Sequence, residues 1–548
     1  MDFNFSSSMH NRKQPFYVRY IGLFLFLLFL LIALFTFDDY GISWDEETQR
    51  NTGIVNYEYA FSDSKELLDY HDRDYGVAFE LPLILIEKRL GLESTRSIFL
   101  MRHFVSHLFF LLGAFFIFKL IDFLYRNKIL ATIGFLLITL HPLLYAHSFF
   151  NSKDIPFMSM FIICFYYTAK AFSRKSILNF IILGIALGLL INLRIMGVLL
   201  LCTIIPFLIY DAIRKKNAIR NLTLCLILFG SSFIVLYITW PFLWTDPLGN
   251  FMEAFENMTH FRWEGTILLG GEMLKSTELP WYYFPEWFSI TTPIFYLLVG
   301  LMGTVILMVH FFRNPLQFID NNKERNNLFY LSGCFIPVFA VILLNSVLYD
   351  SWRQMYFIYS SFVLIGIYGL NYFYRKGAKI WVVSLSALAF IFVLGFFIKS
   401  HPYQHVYFNQ FVDLDKKEHI RRNYLMDYWG TSYKQSIEYI LEHDTSDRIN
   451  IAFENSPGRS NTLILPNDQR VRVKTVPFEV ADYFITNYRS HPEDYALIKE
   501  SKYHSIKVGN NTINQIFKLD NDDSFGSKKD SKVLFESRFG LLEFSQKN

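Results

Sequence analysis

Carboxylates stand where this chain leaves or enters apolar spans. Asp45 and Glu46 follow the first such span, in Asp38-Asp39-Tyr-Gly-Ile-Ser-Trp-Asp-Glu-Glu47. Asp154 opens another, in His141-Pro-Leu-Leu-Tyr-Ala-His-Ser-Phe-Phe-Asn-Ser-Lys-Asp-Ile-Pro156. An ionised carboxylate within hydrogen-bond reach of a hydroxyl can act as a general base. A run of acids after a span also serves as a plain solvated loop. Two arginines, Arg194 and Arg353, lie at other span ends. Charge near membrane depth is expensive and often functional, and the planar guanidinium suits phosphate recognition. The bland alternatives are that Arg353 snorkels at an interface and Arg194 closes a hairpin.

The elements that must position these groups are apolar helices. Of 548 residues 52% are hydrophobic, and runs of about 20 apolar residues, enough to cross a ~30 Å hydrocarbon core, recur along the chain. Spans are expected near 17–37, 98–122, 129–147, 155–172, 177–192, 195–210, 221–243, 287–311, 327–348, 354–373 and 380–398. The pair around Asn192-Leu-Arg194 reads either as a hairpin or as one bent helix. Lys and Arg in short loops set orientation. With eleven spans, the clusters at Arg12, Lys13 and Arg19, at Arg126 and Lys128, at Lys170, Arg174 and Lys175, at Arg214, Lys215, Lys216 and Arg220, at Arg313, Lys323 and Arg325, and at Arg375, Lys376 and Lys379 all fall on one side. That side is expected to be cytoplasmic, which puts both acids on the opposite, external face. The first span is too long for a signal peptide and lacks a small-residue cleavage site, so a retained helix is expected.

Three larger polar pieces share that external face: 38–97, 244–286 and 399–548. Val77–Leu90 is too short and too charged to span and suits an amphipathic helix on the outer leaflet. Residues 244–286 suit a structured loop over a site, or a simple cap. Beyond Lys399 a helix is expected over 433–442 and another over 493–500, with strands at Arg448–Phe453, Val471–Val476, Ala481–Thr486, Tyr503–Val508 and Thr512–Lys518. The fold class is therefore an α-helical polytopic membrane protein with a small C-terminal external α/β domain, divided as 1–398 and 399–548. Residues 521–532 are polar and expected to be loose.

Several classes are disfavoured. The formal charge is only +3 and is scattered in short clusters, which argues against nucleic-acid binding. The four cysteines all lie inside apolar spans, so neither a disulfide framework nor a cysteine metal site is implied. No Walker loop, GxGxxG or HExxH is present. Of nine tryptophans, eight fall at or beyond the outer boundary. Belts form at both interfaces, so this one-sided excess suggests aromatic platforms for sugar rings.

The order of these elements resembles the GT-C superfamily of integral-membrane glycosyltransferases, in particular the bacterial branch related to protein O-mannosyltransferases and the lipid A aminoarabinose transferase. Trp44-Asp45-Glu46 is similar to that family's acidic first-loop motif. Phe79-Glu80-Leu-Pro82 is similar to its Glu-x-Pro element, and Asn151-Ser-Lys-Asp154-Ile-Pro156 to its second-loop motif. Trp240-Pro-Phe-Leu-Trp244, His260-Phe-Arg-Trp263 and Leu279-Pro-Trp-Tyr-Tyr-Phe-Pro285 look like its long outer loop, and Tyr349-Asp-Ser-Trp-Arg353 like its late arginine element. The resemblance covers roughly 15–400. The aminoarabinose-type Glu-Lys-Pro-Pro reads Glu80-Leu81-Pro82-Leu83 here, and nothing matches His401-Pro-Tyr-Gln-His405 or Asp427-Tyr-Trp-Gly430.

The resemblance implies inverting transfer of a sugar from a polyprenyl-phosphate donor to a lipid, glycan or protein hydroxyl at the outer face of the cytoplasmic membrane. Asp45 is the expected base. Asp154 orients the acceptor, binds a divalent ion, or is itself the base. Glu46 supports them; Arg353 and Arg194 bind the donor phosphate; Trp44, Glu80, Trp263 and Trp281 contact substrate. A divalent metal is left open, with Glu80 and His260 as its ligands. Arg102 and His103 read as anchors at the start of the second span. The rival from another class is a transporter or flippase of a lipid-linked sugar, which would want ionisable groups or broken helices near the bilayer midplane. A receptor working through 399–548 is a second rival, disfavoured by the short cytoplasmic loops.

Overall fold

The computed structural model describes residues 16–214, 217–259, 263–414 and 416–519, together with the short pairs 536–537 and 540–541. Arg12, Lys13, Lys215, Lys216, His260 and the segment 521–532 lie outside the described residues. The chain runs through α1 (Phe16–Leu34), α2 (Glu46–Phe61), α3 (Glu80–Leu90), α4 (Thr95–Tyr125), α5 (Lys128–Thr139), α6 (Pro142–Phe150), α7 (Asp154–Ser173), α8 (Ile177–Leu193), α9 (Val198–Arg214) and α10 (Ala218–Thr239). It continues with α11 (Pro247–Thr259), β1 (Thr266–Leu269), β2 (Glu272–Lys275), α12 (Tyr283–Thr291), α13 (Ile294–Arg313), α14 (Pro315–Asp320), α15 (Asn322–Leu343), α16 (Tyr356–Arg375) and α17 (Lys379–Ser400).

Eight helices among the described residues are long and apolar enough to cross a membrane. The pair α5–α6, bent by 62° at Leu140–His141, supplies a ninth, and the apolar helices 20–34 and 177–193 are shorter. Helices thus stand at all eleven expected positions, and the protein is a multi-pass membrane protein. The pair around Arg194 resolves into two helices. The chain is extended at Arg194, and Ile195–Arg214 is long enough to cross by itself.

The C-terminal part forms α18 (His419–Asn423), α19 (Tyr433–His443) and a five-stranded sheet in the order β4-β3-β5-β7-β6. Its strands are β3 (Ile449–Phe453), β4 (Val473–Thr475), β5 (Tyr483–Thr486), β6 (Lys502–Val508) and β7 (Asn511–Lys518), each on an expected strand. β3 runs parallel to β4 and β5, and β7 runs antiparallel to β5 and β6. Where a helix was expected over 493–500, a tight 3₁₀ helix, Ala496–Ser501, stands instead. The amphipathic reading of Val77–Leu90 matches α3 with one difference: its buried face carries two acids, Glu80 and Glu87. Both are paired, Glu80 with Arg102 at 2.5 Å and Glu87 with Arg50 at 2.6 Å.

Two long-range contacts decide how the first loop sits. Asn461 clasps Ile42, accepting from its N–H and donating to its carbonyl, both at 2.9 Å. The N–H of Trp44 donates to the Trp429 carbonyl at 3.0 Å. Further along, Gly76 passes so close to Asn192 that a Cβ at this position would fall 1.5 Å from the Asn192 carbonyl oxygen, so only glycine fits. The Asn192 side chain accepts from the Val77 N–H at 2.8 Å and donates to Thr239, locking the loop onto α8 and α10.

Candidate active site

Asp45 precedes α2, yet its side chain makes no capping hydrogen bond. An aspartate there ordinarily satisfies the first free N–H groups of the helix. Here its carboxylate reaches instead for Arg353, 3.2 Å away, and stays 34% exposed. Asp154 opens α7, where the positive end of the helix dipole favours a carboxylate. It is only 1% exposed. Asn151 donates to it at 2.9 Å, Arg353 lies at 3.4 Å, and Arg194 forms a very short ion pair with its other oxygen. Arg353 therefore bridges two carboxylates that are 109 positions apart in the chain, the difference between 154 and 45.

The guanidinium of Arg353 is buried between two rings, Tyr349 at 4.4 Å and Trp429 at 4.7 Å from their centroids. Such cation–π contacts hold the fork in one orientation. Trp429 is itself held by His147, whose Nε2 accepts its indole N–H at 3.1 Å, while Tyr356 binds the other ring nitrogen at 2.8 Å. Behind it, Asp427 accepts from the Ser432 N–H at 2.8 Å and pairs with His405 at 3.0 Å. Those hydrogen bonds, led by His405, hold the Asp427 carboxyl below its usual range despite burial. The segment that matched nothing in sequence thus forms one wall of the cluster. Arg489, from the loop after β5, lies over the Trp44 ring at 4.9 Å and pairs with Asp350 at 2.6 Å.

Lys153 completes the positive side. Its Nζ lies 3.3 Å from the Tyr75 ring centroid. Burial first, then Arg194 and Arg353, push its pKa down to about 8 against the opposing pull of Asp154 and Asp45. Sequence reasoning passed over Lys153, Tyr75, Tyr349 and Trp429. Lys153, Tyr349 and Trp429 lay inside quoted motifs, but a residue type without a partner carries no role. Their partners come from distant segments.

The remaining expected residues fall differently. Glu46 is buried and turned away, accepting from the Ser43 N–H at 2.7 Å with His103 at 3.0 Å. It anchors the turn that presents Asp45, and His103 is part of that anchor rather than of an interface. Glu80 is buried against Arg102 and accepts from Ser152, so Arg102 is a buried partner too. Trp263 stacks on Tyr349 with centroids 4.3 Å apart, one ring removed from Arg353. Trp44 is half-covered by Arg489, whereas Trp281 is exposed and meets the edge of Tyr282. Among the described residues no group of three or more His, Cys, Asp or Glu is arranged to hold a metal ion. Glu80 is paired with Arg102, and His260, the other expected ligand, lies outside the described residues.

Residues 94–244 match the sequence family described as dolichyl-phosphate-mannose-protein mannosyltransferase. That segment carries Asp154 and Arg194. Over that segment the chain is similar to this family of mannosyltransferases. No curated protein sequence matches it. Among solved structures, the chain is similar to the apo oligosaccharyltransferase of Archaeoglobus fulgidus, with 10% identity over 85% of this chain and 66% of that one, at a TM-score of 0.47. It is also similar to the apo ArnT of Cupriavidus metallidurans, with 12% identity over 90% of this chain and 97% of that one, at 0.44. The same ArnT bound to undecaprenyl phosphate scores 0.42 at 12% identity, over 91% and 98%. Likenesses this distant carry no argument about the site.

Proposed function

We propose that this transferase moves a sugar from a polyprenyl-phosphate donor to an acceptor hydroxyl, with inversion, at the outer face of the cytoplasmic membrane. In this reading 1–398 holds the donor, and 399–548 is an external domain that closes the site. The observation that carries it is the asymmetry of the two carboxylates on Arg353: Asp45 is open to solvent and Asp154 is not. Asp45 takes the acceptor proton as the hydroxyl oxygen attacks the anomeric carbon. The bond from that carbon to the phosphate oxygen breaks, and its electron pair leaves with the lipid phosphate. Asp154, locked by Asn151 and Arg194, fixes Arg353 and through it Asp45. The arginines supply the positive field in which charge on the leaving phosphate is stabilised. The family description, which names a lipid-phosphate sugar donor, supports this donor class.

The test is transfer from a defined polyprenyl-phosphate sugar by purified variants. Asp45→Asn keeps shape but removes the base, and turnover should fall about 10²–10⁴-fold. Thermal unfolding should be unchanged. Near-normal turnover in folded Asp45→Asn excludes this base.

A further inference from the structure

We propose that Lys153 is the cation that directly receives the phosphate group of the lipid substrate. The inference rests on the donor reading above and deepens it. Every other cation of the cluster already has a carboxylate: Arg353 has Asp45 and Asp154, Arg194 has Asp154, and Arg489 has Asp350. Among the described residues Lys153 forms no ion pair, and its ammonium rests on the face of Tyr75. A half-buried ammonium held only by a ring is a poor resting arrangement but a good waiting one. The ring offers a weak attraction, and an incoming phosphate oxygen replaces it with a charge-assisted hydrogen bond.

Geometry places this ammonium at the reacting centre. Lys153 is the residue before Asp154, so the α7 terminus that aims Asp154 also aims Lys153. Tyr75 is held over it because Gly76 packs on Asn192, two residues before Arg194. The arrangement is thus built by three separated segments, two of which supply Asp154 and its partner Arg194. As the donor bond breaks, the phosphate gains negative charge, so the contact strengthens during the reaction. Lys153 also keeps the arginines free for the carboxylates. Were Arg353 to bind phosphate alone, Asp154 would be left buried without its bridge.

The experiment measures binding of undecaprenyl phosphate, undecaprenol and inorganic phosphate to the purified full-length protein in lipid nanodiscs. Wild type should prefer the lipid phosphate over the alcohol. Lys153→Ala should weaken lipid-phosphate binding about 10- to 100-fold, the range for losing a hydrogen bond to a charged group. Alcohol binding should stay unchanged, and Lys153→Arg should recover part of the loss. Donor KM should rise more than kcat falls. Unaltered lipid-phosphate binding in Lys153→Ala overturns the proposal while leaving the transferase reading intact. No preference of wild type for phosphate over alcohol sinks the donor reading itself. Inorganic phosphate should compete only weakly; displacement as effective as by the lipid would assign the site to a soluble anion and overturn the proposal. Should Lys153→Ala fail to fold, Lys153→Gln and Lys153→Arg carry the same comparison.

Discussion

Two buried ion clusters lie at opposite ends of this helix bundle, and they are built to different rules. At one end Asp211 and Arg325, both fully buried, meet through two parallel hydrogen bonds of 2.9 Å each. Lys175 adds a third contact at 2.5 Å, and Phe172 and Phe207 cover the guanidinium at 5.4 and 5.3 Å. At the other end Arg353 reaches Asp45 and Asp154 with one nitrogen at 3.2 and 3.4 Å, and its other terminal nitrogen stands 3.7 Å from Asp350. The Nε atoms of Arg353 and Arg194 are buried without a partner among the described residues. The first cluster is closed and saturated, as a buried pair must be to offset its desolvation. The second opens to solvent at Asp45, whose carboxylate a substrate can reach.

Breaking each arginine separates the two roles. Arg325→Ala leaves Asp211 buried with a weaker partner set, and should cost about 3–5 kcal/mol of stability in thermal unfolding. Turnover per folded molecule should stay near normal. Arg353→Ala should act chiefly on turnover, lowering it about 10²–10³-fold in the transfer assay. Arg353→Lys should recover part of that loss, because charge returns without the planar fork. Equal activity losses at both ends would erase the distinction.

A smaller effect tests the wall from the C-terminal segment. Trp429→Leu removes one face of the sandwich around Arg353, a contact worth about 0.5–2 kcal/mol. Turnover should drop by a few-fold to about 30-fold, with the unfolding midpoint little changed. The smallest effect is on pH. Lys153 is held near 8, below its ordinary 10.5, chiefly by burial and then Arg194 and Arg353, opposed by Asp154 and Asp45. Its charge is present below pH 8 and lost as pH rises through that value. Donor KM should therefore be about twofold higher at pH 8 than at pH 6.5, since half the lysines are then neutral. Lys153→Arg should flatten that rise.

Much of the fold was legible because hydropathy and alternation are local. The eleven apolar runs and the five C-terminal strands could each be read in a single window of sequence. The acids and arginines were legible as candidates because charge at a span end is costly wherever the helix goes. Glu46 and Glu80 show the limit of that reasoning. Their types and positions matched a site, yet one braces a turn against His103 and the other pairs with Arg102. A carboxylate's role depends on which cation the packing delivers to it, and that cation is chosen by tertiary contact.

By itself, then, the sequence determined a multi-pass helical membrane protein with acids and arginines at the ends of particular spans. Length, apolar content and the loop charges suffice for that, since the bilayer imposes one-dimensional rules. The tertiary structure decided which of those charges meet. Asp45 comes to Arg353 because Asn461 and Trp429 grip the first loop from more than 380 residues away, the separation of 45 from 429. Lys153 meets Tyr75 because a glycine lets that loop lie against Asn192. Neither approach leaves a local signal, because each depends on two surfaces fitting rather than on any residue's own preference.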